Sequence, residues 1–370
     1  MSTNRKEATI DAFFALIRAG LWPDANVNVD LDPNDKVDWE EVYQLAEEQS
    51  VVGLVLAGIE QFKKANVNLN LDQELLLQLI GEVQMIEQQN KAMNQFIEKL
   101  VEGMRVSDIY TLLVKGQGIA QCYERPLWRT SGDVDFFLSN DNYEKAKRFL
   151  LPLSFLLPLS SGNKPERLYS KEMGMSIDPW YVEVHGTLRT GLSKLIDKAI
   201  DSVQNDVFYG GSVRSWVNGK TQVFLPAPDC DVFFVFTHFI KHFYKEGGVS
   251  VRQLCDWCRL LWTYKESLNH GLLESRIRKA GLMSEWKAFA ALAVEYLGMP
   301  VEAMPLYSSD KKWKKKAKKI VAFILKGGEW QRFKDTFRVG SIFPLNTFRF
   351  LPGIIFGVNW LKIKERIFKR

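Results

Sequence analysis

The sequence predicts an α+β protein, with a small mixed sheet inside residues 107–227 flanked by an N-terminal helical region (1–106) and a C-terminal helical region (228–370). Three observations carry that reading. Apolar residues recur at three- and four-residue steps through the first hundred positions, short β-rich runs bounded by turn residues fill the middle, and helical periodicity returns beyond Pro228. With 370 residues, 46% of them hydrophobic and 12% aromatic, the chain can bury a large core. A net charge of +5 is mild, so any basic partner surface must be local, and no stable DNA binding is expected.

The N-terminal stretch MSTNRKEATIDAFFALIRAGLW has helix-face spacing and lacks the continuous apolar core and small-residue cleavage site of a secretion signal. No segment supplies the roughly 20 apolar residues that a spanning helix needs. Four cysteines in a chain of this length favour reduced thiols, and the expected location is the cytoplasm. From 37 to 64 the positions Trp39, Val42, Leu45, Ala46, Val52, Leu54 and Leu56 predict a helix, and 72–106 predicts a longer one capped by Asp72. The run IYTLLV (109–114) then reads as a strand entering the turn Lys115-Gly116-Gln117-Gly118, followed by helix-like IAQCYE. DVDFFLS (133–139) is a second strand, leading into a helix at 140–151 with Tyr143, Ala146, Phe149 and Leu150 facing inward. WYVEVHGTL (180–188) alternates as a third strand, and 212–225 reads as a hairpin about Asn218-Gly219. Helices follow at 229–246, 250–265, 271–281, 283–297 and 309–326.

Residues two apart on a strand share a face, so Asp133, Asp135 and Phe137 lie on one side and Val134, Phe136 and Leu138 on the other. By the same rule Glu183 and His185 fall together, opposite Val182 and Val184. Two neighbouring strands can thus deliver three carboxylates to one volume. Unpaired, that cluster costs stability; a hard divalent cation removes the conflict, and Mg²⁺ or Mn²⁺ with phosphate oxygens suits the inventory better than a soft metal. Asp-x-Asp alone is common in turns and helix caps. Its context distinguishes this one: an apolar strand after it, an upstream strand ending in Lys-Gly, and Arg129 four residues before Asp133.

LLVKGQGIAQCYERPLWRTSGDVDFFLSNDNYEKA (112–146) resembles the core of the polymerase-β-type nucleotidyltransferase superfamily, and within it the bacterial branch of uncharacterised nucleotidyltransferases. It is similar, too, to the nucleotidyltransferase toxins of abortive-infection systems. The resemblance spans roughly 35–265, taking in WEEVYQLAEEQSVVGL, VEVH, FTHFIKHF and LCDWCRLL. It implies a nucleoside triphosphate (NTP) donor, a hydroxyl acceptor that is a small molecule, protein or RNA, and two-metal catalysis by Asp133, Asp135 and Glu183. The superfamily's usual Gly-Ser turn is replaced here by Lys115-Gly116. That replacement leaves open a catalytically degenerate nucleotide-binding or regulatory module. In the catalytic reading, Gly116 and Gly118 let the backbone approach the triphosphate, Lys115 adds a point charge, Arg129 neutralises phosphate bidentately and Ser131 donates a hydrogen bond. A snorkelling surface lysine is the competing role for Lys115.

His185 is a candidate acceptor contact or a carboxylate orienter, and a structural histidine is the plain alternative. Lys241, Lys245 and Arg252 are candidate phosphate contacts; Arg252 with Asp256 also fits an ordinary i,i+4 pair. His238, His242, Cys255 and Cys258 have the inventory of a zinc site, but both pairs fall on apolar helices, which favours a metal-free core. The lysine run 308–325 reads as a solvated helix face, and the basic, aromatic tail 348–370 is a candidate for weak contact with anionic membranes.

Overall fold

The computed structural model describes residues 3–23, 37–154, 164–167, 171–245, 248–326 and 332–355. It opens with four helices, α1 (Thr3–Leu21), α2 (Trp39–Glu48), α3 (Val52–Lys64) and α4 (Gln73–Val106). The central region follows as β1 (Leu112–Val114), α5 (Gly116–Ala120), β2 (Asp133–Phe137), α6 (Asn140–Ser154), β3 (Lys164–Arg167), β4 (Glu172–Ile177), β5 (Trp180–His185), α7 (Lys194–Phe208), β6 (Val213–Asn218) and β7 (Thr221–Pro226). Helices close the described chain: α8 (Pro228–Lys245), α9 (Val251–Thr263), α10 (His270–Ala280), α11 (Met283–Leu297), α12 (Lys311–Ile324), α13 (Arg332–Ile342) and α14 (Pro344–Ile355). The seven strands form one sheet in the order β3-β4-β5-β2-β1-β7-β6. It is mixed: β2 runs antiparallel to β1 and parallel to β5, and β1 runs parallel to β7.

The alternation in β2 and β5 decides which face is dry. Val134, Phe136, Val182 and Val184 pack beneath α4 and α6, against Met93, Ile97, Tyr143 and Leu150. Phe137 faces the other way, into a second core that includes Phe208 of α7 and Phe234 of α8. That core continues into an aromatic cluster where Phe236, Phe239, Trp257 and Trp286 are fully buried, with edge-on or tilted rings. Filling such a space with rings is a large apolar term, about 3–5 kcal/mol for each one truncated to alanine.

Three local outcomes differ from the sequence pattern. The helix expected over 37–64 is two helices, because Ser50 takes φ 56° and the Val51 amide reaches the Ala46 carbonyl at 2.8 Å. That is a Schellman stop made without glycine, and so invisible to a search for glycine. The hairpin turn falls one residue later than Asn218-Gly219: Asn218 pairs with Thr221, leaving Gly219 and Lys220 as the loop. The helix expected at 119–124 begins at Gly116 and ends at Ala120. β3, β4, α7, α13 and α14 are additions that the pattern did not reveal. The α1–α3 crossing is close enough that a Cβ on Gly58 would overlap the Leu16 carbonyl and one on Gly20 the Leu54 carbonyl.

Candidate functional site

The polar face of the sheet opens on a cavity of about 330 Å³. Parallel pairing of β2 with β5 puts Asp135 directly beside Glu183, and Asp133 two residues earlier beside Tyr181. Asp133, Asp135, Glu183 and His185 all line the cavity, with Lys115 and Gly116 at its edge. The tightest group is Asp135, Glu183 and His185, whose ligand atoms lie within 4.8 Å of one another. His185 thus stands where the sequence suggested Asp133, which borders the same space from the more exposed start of β2.

Asp135 is 3% exposed, and its Oδ1 meets Lys115 Nζ and His185 Nε2, each at 2.8 Å. His185 Nε2 is also 3.6 Å from Glu183 Oε2. These contacts divide the carboxylates electrostatically. Burial opposes the charge of Asp135, yet Lys115 and the His185 hydrogen bond hold its pKa well below the usual range. Asp133 is pushed up, chiefly by the Asp135 charge and then by burial; Glu183 is pushed up by burial and then by Asp135. Lys115 is desolvated as well, but Asp135 with Asp133 and Glu183 lifts its pKa above the ordinary lysine value. Carboxylate oxygens already strained by mutual repulsion are a donor set that fits a divalent cation.

The surface-lysine reading of Lys115 does not hold. Its ammonium is in the carboxylate cluster, and its backbone adopts φ 58°, ψ −148°, a region that disfavours any side chain. The following Gly116 is also left-handed, at φ 40°. A non-glycine residue in that conformation costs on the order of 1–3 kcal/mol, and the turn that aims Lys115 at Asp135 requires it.

Arg129 and Gly118 are corrections. Arg129 is buried and bidentate to Asp256, with Nε to Oδ1 at 2.7 Å and Nη2 to Oδ2 at 2.6 Å. Its remaining Nη1 donates to Ser131 Oγ at 2.7 Å, and Ser131, which lines the cavity, keeps its own hydroxyl proton to donate. The fork that would clasp phosphate is therefore occupied, and Arg129 fixes the loop before Asp133. Gly118 is buried against Leu113 and Leu225; a Cβ there would come within 2.8 Å of Leu225 Cδ2. It serves packing, since the cavity is lined by Lys115 and Gly116 instead.

The i,i+4 pairing of Arg252 with Asp256 is also replaced. Asp256 is taken by Arg129 and by the Tyr123 hydroxyl at 2.7 Å, while Arg252 Nη1 donates to the Thr130 carbonyl at 2.7 Å. Arg252 lines the cavity, and its buried Nε has no hydrogen-bond partner among the described residues. Burial and then the Arg129 charge lower its pKa, as expected of a cation short of a counter-charge. Lys241 lines the same wall on α8, together with His238 and His242, whose Nε2 atoms are 3.0 Å apart. Burial and the Lys115 charge hold His238 well below the ordinary histidine pKa, so it is neutral near pH 7. Cys255 and Cys258 are buried in α9. Among the described residues, Asp135, Glu183 and His185 are the group of three or more ligand-capable atoms drawn together, and no His₂Cys₂ cluster forms.

Sequence reasoning missed Asp256 as the partner of Arg129, since 127 positions separate them. It missed the histidine pair as cavity wall, although the i,i+4 spacing was visible. Asn90 was also unseen: it is buried on α4 and donates to the Leu127 and Arg129 carbonyls at 2.7 and 2.8 Å, holding the loop from the opposite side. A lone polar residue on an otherwise apolar helix face was the available signal.

A family model described as "Uncharacterised nucleotidyltransferase" matches residues 35–298, ending where α11 ends. No curated protein and no solved structure shows significant similarity to the chain.

Proposed function

Because the chain belongs to the uncharacterised nucleotidyltransferase family, we propose that it transfers a nucleotidyl group from an NTP to a hydroxyl acceptor, with Mg²⁺ or Mn²⁺ at the carboxylate cluster. The observation that carries this reading is the in-register pairing of Asp135 with Glu183 on parallel strands, with Asp133 on the same cavity. Asp135, Glu183 and Asp133 would hold the cation. When bound, it supplies charge neutralisation for the triphosphate and acidifies the acceptor hydroxyl.

The chain's own groups do the rest. His185 holds Asp135 by its hydrogen bond, and Asp135 in turn anchors Lys115, keeping an ammonium beside the space that phosphate oxygens would enter. Arg252 and Lys241 bring further positive charge to the walls, and the under-bonded Arg252 gains the most from an incoming anion. Gly116 presents backbone without a side chain at the cavity edge. Arg129, tied to Asp256, keeps the loop that leads into Asp133 in place, and so acts by positioning. The walls from α8 and the segment after β5, with Phe234, Leu188 and Thr190, are where base and acceptor would be selected.

The test is incubation with labelled NTPs, Mg²⁺ or Mn²⁺ and a cell extract. Label should appear on one acceptor fraction and vanish with Asp135→Ala. A second reading, a degenerate nucleotide-binding module, is favoured by one observation: Lys115 neutralises the central Asp135, in a turn that departs from Gly-Ser. Calorimetric NTP binding with no label transferred under any condition would select it.

A further inference from the structure

Far along the chain from the cavity residues, α12, α13 and α14 make a surface that the transfer reaction does not use. Lys311, Lys315, Lys318 and Lys319 are exposed on α12 and have no carboxylate partner among the described residues. Their neighbours Lys312 and Lys314 are paired, with Asp310 and Glu295. On α13 the exposed positions Lys334, Phe337, Arg338 and Ser341 recur at helical spacing, and the stripe runs on into Leu345 and Phe348 of α14. Phe337, Leu345 and Phe348 are 83%, 85% and 77% exposed, while Val339, Ile342 and Phe350 of the same helices, and Phe343 between them, fill the core. The protruding residues are therefore surplus to folding.

The lysine helix meets the helices that carry the apolar knobs. Lys319 Nζ lies 3.5 Å from the Ser341 carbonyl, one turn from Phe337, and Lys316 Nζ sits 4.4 Å over the Phe343 ring, beside the start of α14. Lysines around protruding Phe and Leu side chains match the boundary of a lipid bilayer, where apolar groups enter the acyl layer and ammonium groups meet anionic headgroups. The sequence after Ile355 adds Lys362, Lys364, Arg366, Lys369 and Arg370 against one Glu365, the same sign of charge. No helix among the described residues is long and apolar enough to cross a membrane, so contact would be at the surface. RNA would engage the lysines through phosphates and stack bases on planar groups, leaving Leu345 without a role. We propose that the α12–α14 face docks the protein on anionic lipid membranes.

The experiment is co-sedimentation of the full chain with vesicles of phosphatidylcholine alone or mixed with phosphatidylglycerol, at low and high salt. Binding is expected only with the anionic lipid, and it should weaken as salt screens the lysines. Two variants act on the separate halves of the face: Phe337→Ser/Leu345→Ser/Phe348→Ser, and Lys315→Glu/Lys318→Glu/Lys319→Glu. All six side chains are exposed, so melting curves should remain those of the parent, and each variant should lower the apparent partition coefficient by about tenfold or more. No sedimentation with either lipid overturns the proposal, as does sedimentation that neither variant changes. So does binding to tRNA in a gel-shift assay that the lysine variant abolishes and the apolar variant leaves intact, when vesicles are not bound.

Discussion

Three carboxylates that the fold places together respond to pH in opposite senses. Asp133 and Glu183 have folded-state pKa values above their unfolded ones, so the native protein holds those protons longer. Their ionisation therefore removes stability as pH rises from the unfolded carboxylate range, about 4, through the raised folded values. Asp135 is the reverse: its depressed pKa gives stability that is present above pH ~4 and is lost as pH falls through the folded value. A bound divalent cation should offset the first effect, so the rise in Tm on adding Mn²⁺ should grow as pH increases from about 4 to about 7; a pH-independent increment would contradict it. Asp133→Asn should raise the metal-free Tm slightly at pH 7 and shrink the Mn²⁺ increment in a thermal-shift titration. Asp256→Ala leaves the Arg129 guanidinium buried and unpaired, and should cost about 3–5 kcal/mol by urea denaturation. Of these residues, Asp133, Asp135 and Glu183 were legible because strand periodicity is a short-range rule. The Lys115–Asp135 and Arg129–Asp256 pairs were not, since each depends on which elements the chain brings side by side.

At the level of elements, the long helices, the hairpin and β2 with its following helix were legible from spacing and turn chemistry. β4 was not: EMGMSI has neither β-branched enrichment nor clean alternation, and it is a strand because β5 offers it a partner from Glu172 to Ile177. Similarly, the interruption at Ser50 comes from a backbone bond that nothing in the apolar pattern encodes. The meeting of α1 with α3 is governed by glycines whose importance appears only in three dimensions. Gly58→Ala would push a methyl into the Leu16 carbonyl and should cost about 1–3 kcal/mol in denaturant melts, without changing the pH dependence of metal binding.

For the whole molecule, the fold class and the family were legible, with the resemblance read over 35–265 and the family match covering 35–298. The two outermost helices of the C-terminal region were missed, because their exposed face carries Phe337, Leu345 and Phe348 and so blurs the amphipathic signal. If the cavity takes a metal–NTP complex, ligand at a hundredfold excess over its Kd should add about 2.7 kcal/mol to unfolding stability, and NTP without divalent cation should add less. Equal stabilisation by NTP with and without metal would argue that the carboxylates are not its anchor.

The loop that carries the chain into Asp133 is moored from both sides, by Asn90 in the first helical region and by Asp256 and Arg252 in the last. Side chains from both outer regions also interleave with those of β1 and α7 in a single apolar interior. Excising 107–227 as a minimal enzyme would therefore strip away the moorings on both sides and lay bare the underside of its own sheet. Such a fragment should aggregate on expression, and cleavage of the intact protein between these regions should leave pieces that stay associated until denatured.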